Sequence, residues 1–395
     1  MKVLEFLWGI SKLFDSIESN DSFHQRRVAF IAYKIADQMG FDEFGKKLIL
    51  QAGLIHDIGI INDATRIEVF RNIAYNEFED LQKHAIIGSK IARFFNLHLD
   101  VSLAISTHHT KSELNHSTLG NILFLADNLE ILYRSLTNPF AYDELFDFIA
   151  SKRELFDEDA VKALEAVVGK ECFWFGLVEE NLDFELKDII NSIEDDNVDE
   201  KLRKAAIYTL AFVSDRIQPF FDNYSVLMKN IAVNIGYLLG VDIKILETAA
   251  LLSHVGNLVI PFDLFGFESL DQIDYEVVKS HTTNAKRILN TLGFKKEAEL
   301  VYAHHENASG SGYPCKAKAS IEQQVLSLAS VVAAVLQDRP YREMFSFDAV
   351  KKLLEEFRSR GVYSSEVIDG CLKIDFEKLI KTQDEYYKSV RKLFV

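Results

Sequence analysis

The chain has 395 residues, 48% of them hydrophobic, which is enough for two or three domains with sizeable cores and too apolar for a disordered chain. Its 60 acidic residues outnumber 44 Lys and Arg, and the resulting net charge of −16 repels a nucleic-acid backbone, excluding long nucleic acid as a partner. Cys172, Cys315 and Cys371 are odd in number and widely spaced, as expected for reduced thiols in a cytoplasmic protein rather than for a disulfide framework.

In chain order, Met1 to Phe14 reads as an amphipathic helix interrupted by Glu5 and Lys12, with no small-residue cleavage site after it. No window approaches the roughly 20 apolar residues that cross a bilayer, so no membrane is expected. Val28, Ile31, Ala32, Ile35 and Met39 form a helical stripe closed by Gly40 as C-cap. Leu48 to Ile55 is a second apolar helix ending at His56-Asp57, where the small Gly59 lets the chain turn away. Strands are not evident, and Pro139, Pro219, Pro261, Pro314 and Pro340 suit turns or helix starts. The run from Glu194 to Glu200 reads as a solvated acidic stretch. It marks the junction between a domain over 1–195 and another over 201–395, with a helix from Lys201 to Ile217 leading into the latter. The expected fold is all-α, two tandem helical bundles.

One pattern occurs twice. His24, His56-Asp57, His84, His108-His109 and Asp127 recur as Tyr224 (200 later), Ser253-His254 (197 later), His281, His304-His305 and Ser330. Asn138-Pro139-Phe140 followed by Tyr142-Asp143-Glu144-Leu145 also parallels Arg339-Pro340-Tyr341 followed by Phe347-Asp348-Ala349-Val350. Internal duplication accounts for both. The step from His108 to Asp127 is 19 residues and that from His304 to Ser330 is 26, so the second copy carries one extra loop, containing Gly310-Ser311-Gly312-Tyr313-Pro314.

Imidazoles and carboxylates from several helices converge readily in a bundle core, where a cation offsets the cost of burying them. An aspartate beside a histidine is able to bridge two ions. A nitrogen and oxygen donor set without cysteine favours iron or manganese over thiolate zinc, so two divalent ions are expected in the first copy. A single histidine on an apolar helix is more often a hydrogen-bonded core residue; seven candidates in one order and spacing are the stronger observation. His98 and His116 fit no slot and read as surface or loop residues. The second copy keeps three of the histidines and neither carboxylate.

Both copies resemble the HD superfamily of metal-dependent phosphohydrolases, and the second resembles its HD-GYP branch through His304-His305-Glu306, Gly310-Ser311-Gly312-Tyr313-Pro314 and Asp338-Arg339-Pro340-Tyr341-Arg342. The resemblance implies an all-helical bundle that hydrolyses phosphate esters, including cyclic di-GMP. By position it implies that His24, His56, Asp57 and Asp127 bind one ion, that Asp57 bridges to a second held by His84, His108 and His109, and that Asp57 and His56 are the catalytic pair. The cations would acidify an attacking water and offset charge developing on the phosphate.

Two departures bear on activity. The lysine usual three residues after the aspartate is Ile60, and the first copy has Thr110 to Asn115 where a Gly-Tyr-Pro loop would follow; Lys111 or Lys83 are the candidate substitutes. The second copy, lacking a bridging carboxylate, is expected to be a scaffold or recognition module that packs on the first as an intramolecular pseudo-dimer. Its Gly310 to Pro314 loop is the candidate dock for a signalling protein. The expected function is a phosphodiesterase acting on cyclic di-GMP or a related nucleotide phosphodiester. The alternatives are an inactive, nucleotide-binding relative and a nucleotide phosphomonoesterase.

Overall fold

The computed structural model describes residues 1–18, 23–60, 78–136, 142–218, 221–265, 271–339 and 342–395. Pro139, Pro219, Pro340, the Asn138-Pro139-Phe140 segment and Tyr341 lie outside the described residues. The fold is all-α, with no sheet among the described residues. It divides into two compact units, essentially Met1–Arg203 and Lys204–Leu393. No described helix is long and apolar enough to cross a membrane.

In the first unit, the stripe beginning at Val28 lies on the helix His24–Gln38, whose Phe30, Ile31 and Ile35 are fully buried. Gly40 follows with φ of +78°, the left-handed conformation that ends helices. Asp42 then caps the helix Glu43–Ile55 by accepting from the Gly45 N–H at 2.8 Å. These two helices pack side by side, and Phe78–Phe94 pairs with Leu99–Thr107. Ser117 caps Thr118–Ser135, whose Ile122, Leu125 and Leu129 complete the core.

The second unit repeats this punctuation. Gly240 has φ of +70°, Asp242 caps Ile243–Leu252, and Ser320 caps Ile321–Val335 in a reciprocal box with Gln323. Tyr142–Ser151 and Phe347–Ser359 start at the positions matched in the repeat. A further matched pair escaped the sequence comparison. Asp15 accepts from the Gln25 N–H at 2.8 Å, and Asp215, 200 residues on, accepts from the Ser225 N–H at 3.1 Å. Each carboxylate satisfies a donor in the first turn of the helix that carries, or once carried, the first histidine.

The acidic stretch is not simply solvated. Asp195 is buried, and its carboxylate accepts from the Leu4 N–H at 2.6 Å, while Lys2 Nζ donates to its carbonyl at 2.7 Å and the Val3 N–H to Asp196 O at 2.9 Å. Part of the run therefore holds the opening helix, Val3–Glu18, which buries Leu4, Phe6, Leu7 and Ile10.

Candidate metal centre

The expected ligands are placed by helix ends, except His84 and Asp127, which lie inside helices. His24 is the first residue of its helix, His56 the C-cap of Glu43–Ile55, His84 lies within Phe78–Phe94, His108-His109 follow Leu99–Thr107, and Asp127 lies within Thr118–Ser135. The turn after Asp57 presses directly on the His84 backbone. A Cβ built on Gly59 would stand 2.1 Å from the His84 carbonyl oxygen and 2.6 Å from Gly88 N. Gly59 is thus needed for close approach, bringing Asp57 against His84.

All seven residues converge, six of them buried and His109 partly so. Asp57 sits at the centre with its oxygens facing different histidines. Oδ2 lies 3.2 Å from His24 Nε2 and 3.3 Å from His56 Nε2; Oδ1 lies 3.1 Å from His84 Nε2 and 3.5 Å from His108 Nε2. Asp127 Oδ1 is 3.4 Å from His24 Nε2, and His84 Nε2 is 3.0 Å from His109 Nε2. Two ligand groups result, His24, His56 and Asp57 on one side and Asp57, His84, His108 and His109 on the other.

The polar contacts fit cations. His56 Nδ1 donates to Gly53 O at 2.9 Å and His108 Nδ1 to Ile105 O at 2.6 Å. A carbonyl only accepts, so these rings carry a proton on Nδ1 and, when neutral, turn Nε2 lone pairs toward the Asp57 carboxylate. Acceptors facing acceptors in a buried space are stabilised by a positive ion between them. Among the described residues, the buried His84 Nδ1 has no hydrogen-bond partner. Burial opposes ionisation of Asp57, yet His56, His108 and His24 hold its carboxyl well below the usual range. Burial, with His108 and His84 adding to it, lowers His109 well below an ordinary imidazole. Both therefore stand in their metal-binding forms near neutral pH.

Two supporting residues were not foreseen. Glu130 is fully buried and pairs with His24 Nδ1 at 2.5 Å, fixing that ring so that Nε2 faces Asp57 and Asp127. Burial works against its charge, but His24, then Arg134 and Arg27, keep its carboxyl low. Its placement three residues after Asp127, on the same helix face, was the available clue. Gln25 donates from Nε2 to Asp57 Oδ2 at 3.2 Å. His98 is exposed and caps Leu99–Thr107, and His116 is exposed; neither joins the cluster. Ile60 is buried and Lys83 exposed.

In the second unit the side matching His24, His56 and Asp127 is closed. The Tyr224 hydroxyl donates to Ser330 O at 2.9 Å and lies 3.1 Å from Ser330 Oγ, while Ser253 Oγ donates to Ala249 O at 2.7 Å. Ala333 stands where Glu130 would. The other side keeps its three histidines, and His254, in the slot of Asp57, joins His281, His304 and His305. Three histidines of the pattern are retained, and His254, which replaces the aspartate, makes the fourth member of the cluster. The Gly-Tyr-Pro loop folds back on this cluster. Tyr313 stacks on His305 at 4.6 Å between ring centres, and Glu306 accepts from the Cys315 and Ala317 N–H groups at 2.6 and 3.1 Å.

Comparison with known proteins agrees with this duplicated architecture. The HD domain profile matches residues 22–132 and, in a second form, residues 212–362, together most of the chain. A 3'3'-cGAMP-specific phosphodiesterase 1 of Vibrio cholerae is 23% identical over 407 residues, spanning 96% of this chain and 91% of its own. A cyclic di-GMP phosphodiesterase of Thermotoga maritima is 30% identical over 139 residues, 33% of this chain and 38% of that one. The crystal structure of a cyclic GMP-AMP-specific phosphodiesterase from V. cholerae shares the fold, with a TM-score of 0.66 at 18% identity, covering 98% of this chain and 99% of its own. The chain belongs to the HD-domain family and carries two HD domains in tandem.

Proposed function

We propose that the first unit is a binuclear, metal-dependent phosphodiesterase for cyclic dinucleotides, with His24, His56, Asp57 and Asp127 around one divalent ion and Asp57, His84, His108 and His109 around the other. The observation that supports it is the division of the two Asp57 oxygens between two sets of imidazoles. That the chain is a hydrolase of the phosphodiesterase type follows from its relatives. The substrate class rests on their names, and the relative aligned along nearly its whole length makes 3'3'-cGAMP the first compound to test, with cyclic di-GMP beside it.

When bound, iron or manganese would acidify water and offset charge developing on the phosphoryl oxygens. The protein's own part is positional. Glu130 orients His24, the Gly53 and Ile105 carbonyls orient His56 and His108, and Gln25 steadies Asp57. The expected outcome is conversion of 3'3'-cGAMP or cyclic di-GMP to linear dinucleotide by Mn²⁺-loaded protein, abolished in Asp57→Ala. Saturable nucleotide binding without turnover, at full metal loading, would move the weight to a binding protein. The buried Ile60 in place of a lysine, with Lys83 turned to solvent, is the observation favouring that second reading. Release of inorganic phosphate from nucleoside monophosphates, with cyclic dinucleotides untouched, would point instead to a phosphomonoesterase.

A further inference from the structure

We infer that the second unit holds a single first-row divalent cation, zinc by preference, through His254, His281, His304 and His305. Each ring offers one nitrogen within 4.8 Å of the others, with three of the side chains buried and His305 partly so. Nδ1 of His281 donates to Val278 O at 2.7 Å, and Nδ1 of His304 donates to Val301 O at 2.6 Å. Since these carbonyls only accept, the ring protons sit on Nδ1 and the Nε2 lone pairs turn inward. Those two Nε2 atoms are 3.2 Å apart, and Nε2 of His305 is 3.2 Å from that of His281. His254 Nδ1 is buried with no hydrogen-bond partner among the described residues. No carboxylate shares the cluster among those residues, so nothing there favours an imidazolium, and converging lone pairs are left facing one another. A metal ion relieves that arrangement, and carbonyl-oriented imidazoles are the usual form of histidine ligands.

The geometry also limits the site to one ion. The space matching the other cation position is occupied by the Tyr224–Ser330 hydrogen bond, and the Arg339 guanidinium lies 4.2 Å from the Phe221 ring centre and 5.8 Å from that of Tyr224, adding positive charge on that side. Four neutral nitrogens suit zinc, cobalt or nickel and not magnesium or calcium. The ion would tie the turn after Ile243–Leu252 to the first residue of His281–Thr291 and to the segment after Lys295–Tyr302. Through Tyr313 on His305 it would also steady the Gly310 to Pro314 loop.

The test uses the full chain with the first centre silenced by Asp57→Ala and His84→Ala. Co²⁺ is added, excess is removed by gel filtration, and the retained metal is counted by elemental analysis and read by its visible absorption. The expected result is one equivalent with the intense bands of a low-coordinate nitrogen site, displaced by Zn²⁺ and lost in His304→Ala. In His305→Ala, whose side chain is only partly buried, affinity should fall by more than the about tenfold cost of losing even an outer partner of a ligand. If His304→Ala fails to fold, His305→Ala alone decides. A silenced chain that retains no cobalt, or retains it unchanged in His305→Ala, would overturn the assignment.

Discussion

The two units share a scaffold down to single caps, yet their polar centres have diverged throughout one half and only at the Asp57 position, now His254, in the other. Gly59 and Gly256 make the same contact, since a Cβ on Gly256 would stand 2.0 Å from the His281 carbonyl oxygen. Asp15 and Asp215 serve the same helix starts, and His108 and His304 lean on the carbonyl three residues back. By contrast His24, His56, Asp127 and Glu130 have become Tyr224, Ser253, Ser330 and Ala333 together. The difference teaches that the two proposed ion positions are separable. The pocket built on His24 changes as a block because His24, Asp57, Asp127 and Glu130 contact one another, whereas in the pocket built on the paired histidines His108, His304 and His281 lean on backbone carbonyls that any sequence supplies.

The strongest challenge to this comparison is Asp57→Ala. It is expected to lower cyclic dinucleotide hydrolysis by about 10³-fold or more, measured as linear product, because both proposed ion positions in the first unit share that carboxylate. The cobalt bands of the second unit should be untouched; a parallel loss there would mean the centres are not independent. Next in size, Glu130→Gln should weaken metal affinity of the first unit by about 10- to 100-fold in a metal titration, leaving the second unit unchanged, since Ala333 has no such role there. Gly59→Ala and Gly256→Ala should each cost about 1–3 kcal/mol in urea unfolding, the penalty of forcing a methyl into packed backbone. Tolerance in one unit alone would break the equivalence of the two turns.

The effect most confined to a pH window concerns the matched carboxylates. Burial pushes Asp215 up to about 7 despite hydrogen bonds from Tyr387 and Ser225, and burial pushes Asp15 up to about 6, opposed chiefly by Arg26. For an acid whose folded value exceeds its unfolded value near 3.8, the folded state binds the extra proton between the two. The associated stability is present at low pH and fades as pH rises through the folded value. Asp215→Asn should therefore gain on the parent chain between pH 5 and 8 by an amount on the order of a few kcal/mol, read from urea midpoints at both pH values. Asp15→Asn should do so at lower pH; a flat difference for Asp215→Asn would mean the carboxyl titrates normally.

Much of this was legible before the structure. The order His24, His56-Asp57, His84, His108-His109, Asp127 survives as one buried cluster because histidine and aspartate in apolar helices leave a visible spacing. The supporting residues were not visible for the converse reason. Glu130, Gln25 and Asp15 each share a helix with other polar or charged residues, and only packing shows which of them turn inward. In sequence His254 reads as a lost carboxylate, whereas in the folded unit its neighbours are three imidazoles. The acidic run misled similarly, since sequence does not reveal that Asp195 folds under the first helix.

The Tyr224–Ser330 hydrogen bond has a consequence for history. Placing a histidine at 224 alone would leave Ser330 facing a ring with no carboxylate to orient it, and placing an aspartate at 330 alone would bury a charge beside a phenol without the imidazole that meets Asp127 in the first unit. Either of these two steps back toward a two-ion centre passes through a less stable protein, so a lineage that has lost the centre this way is not expected to return by the same path.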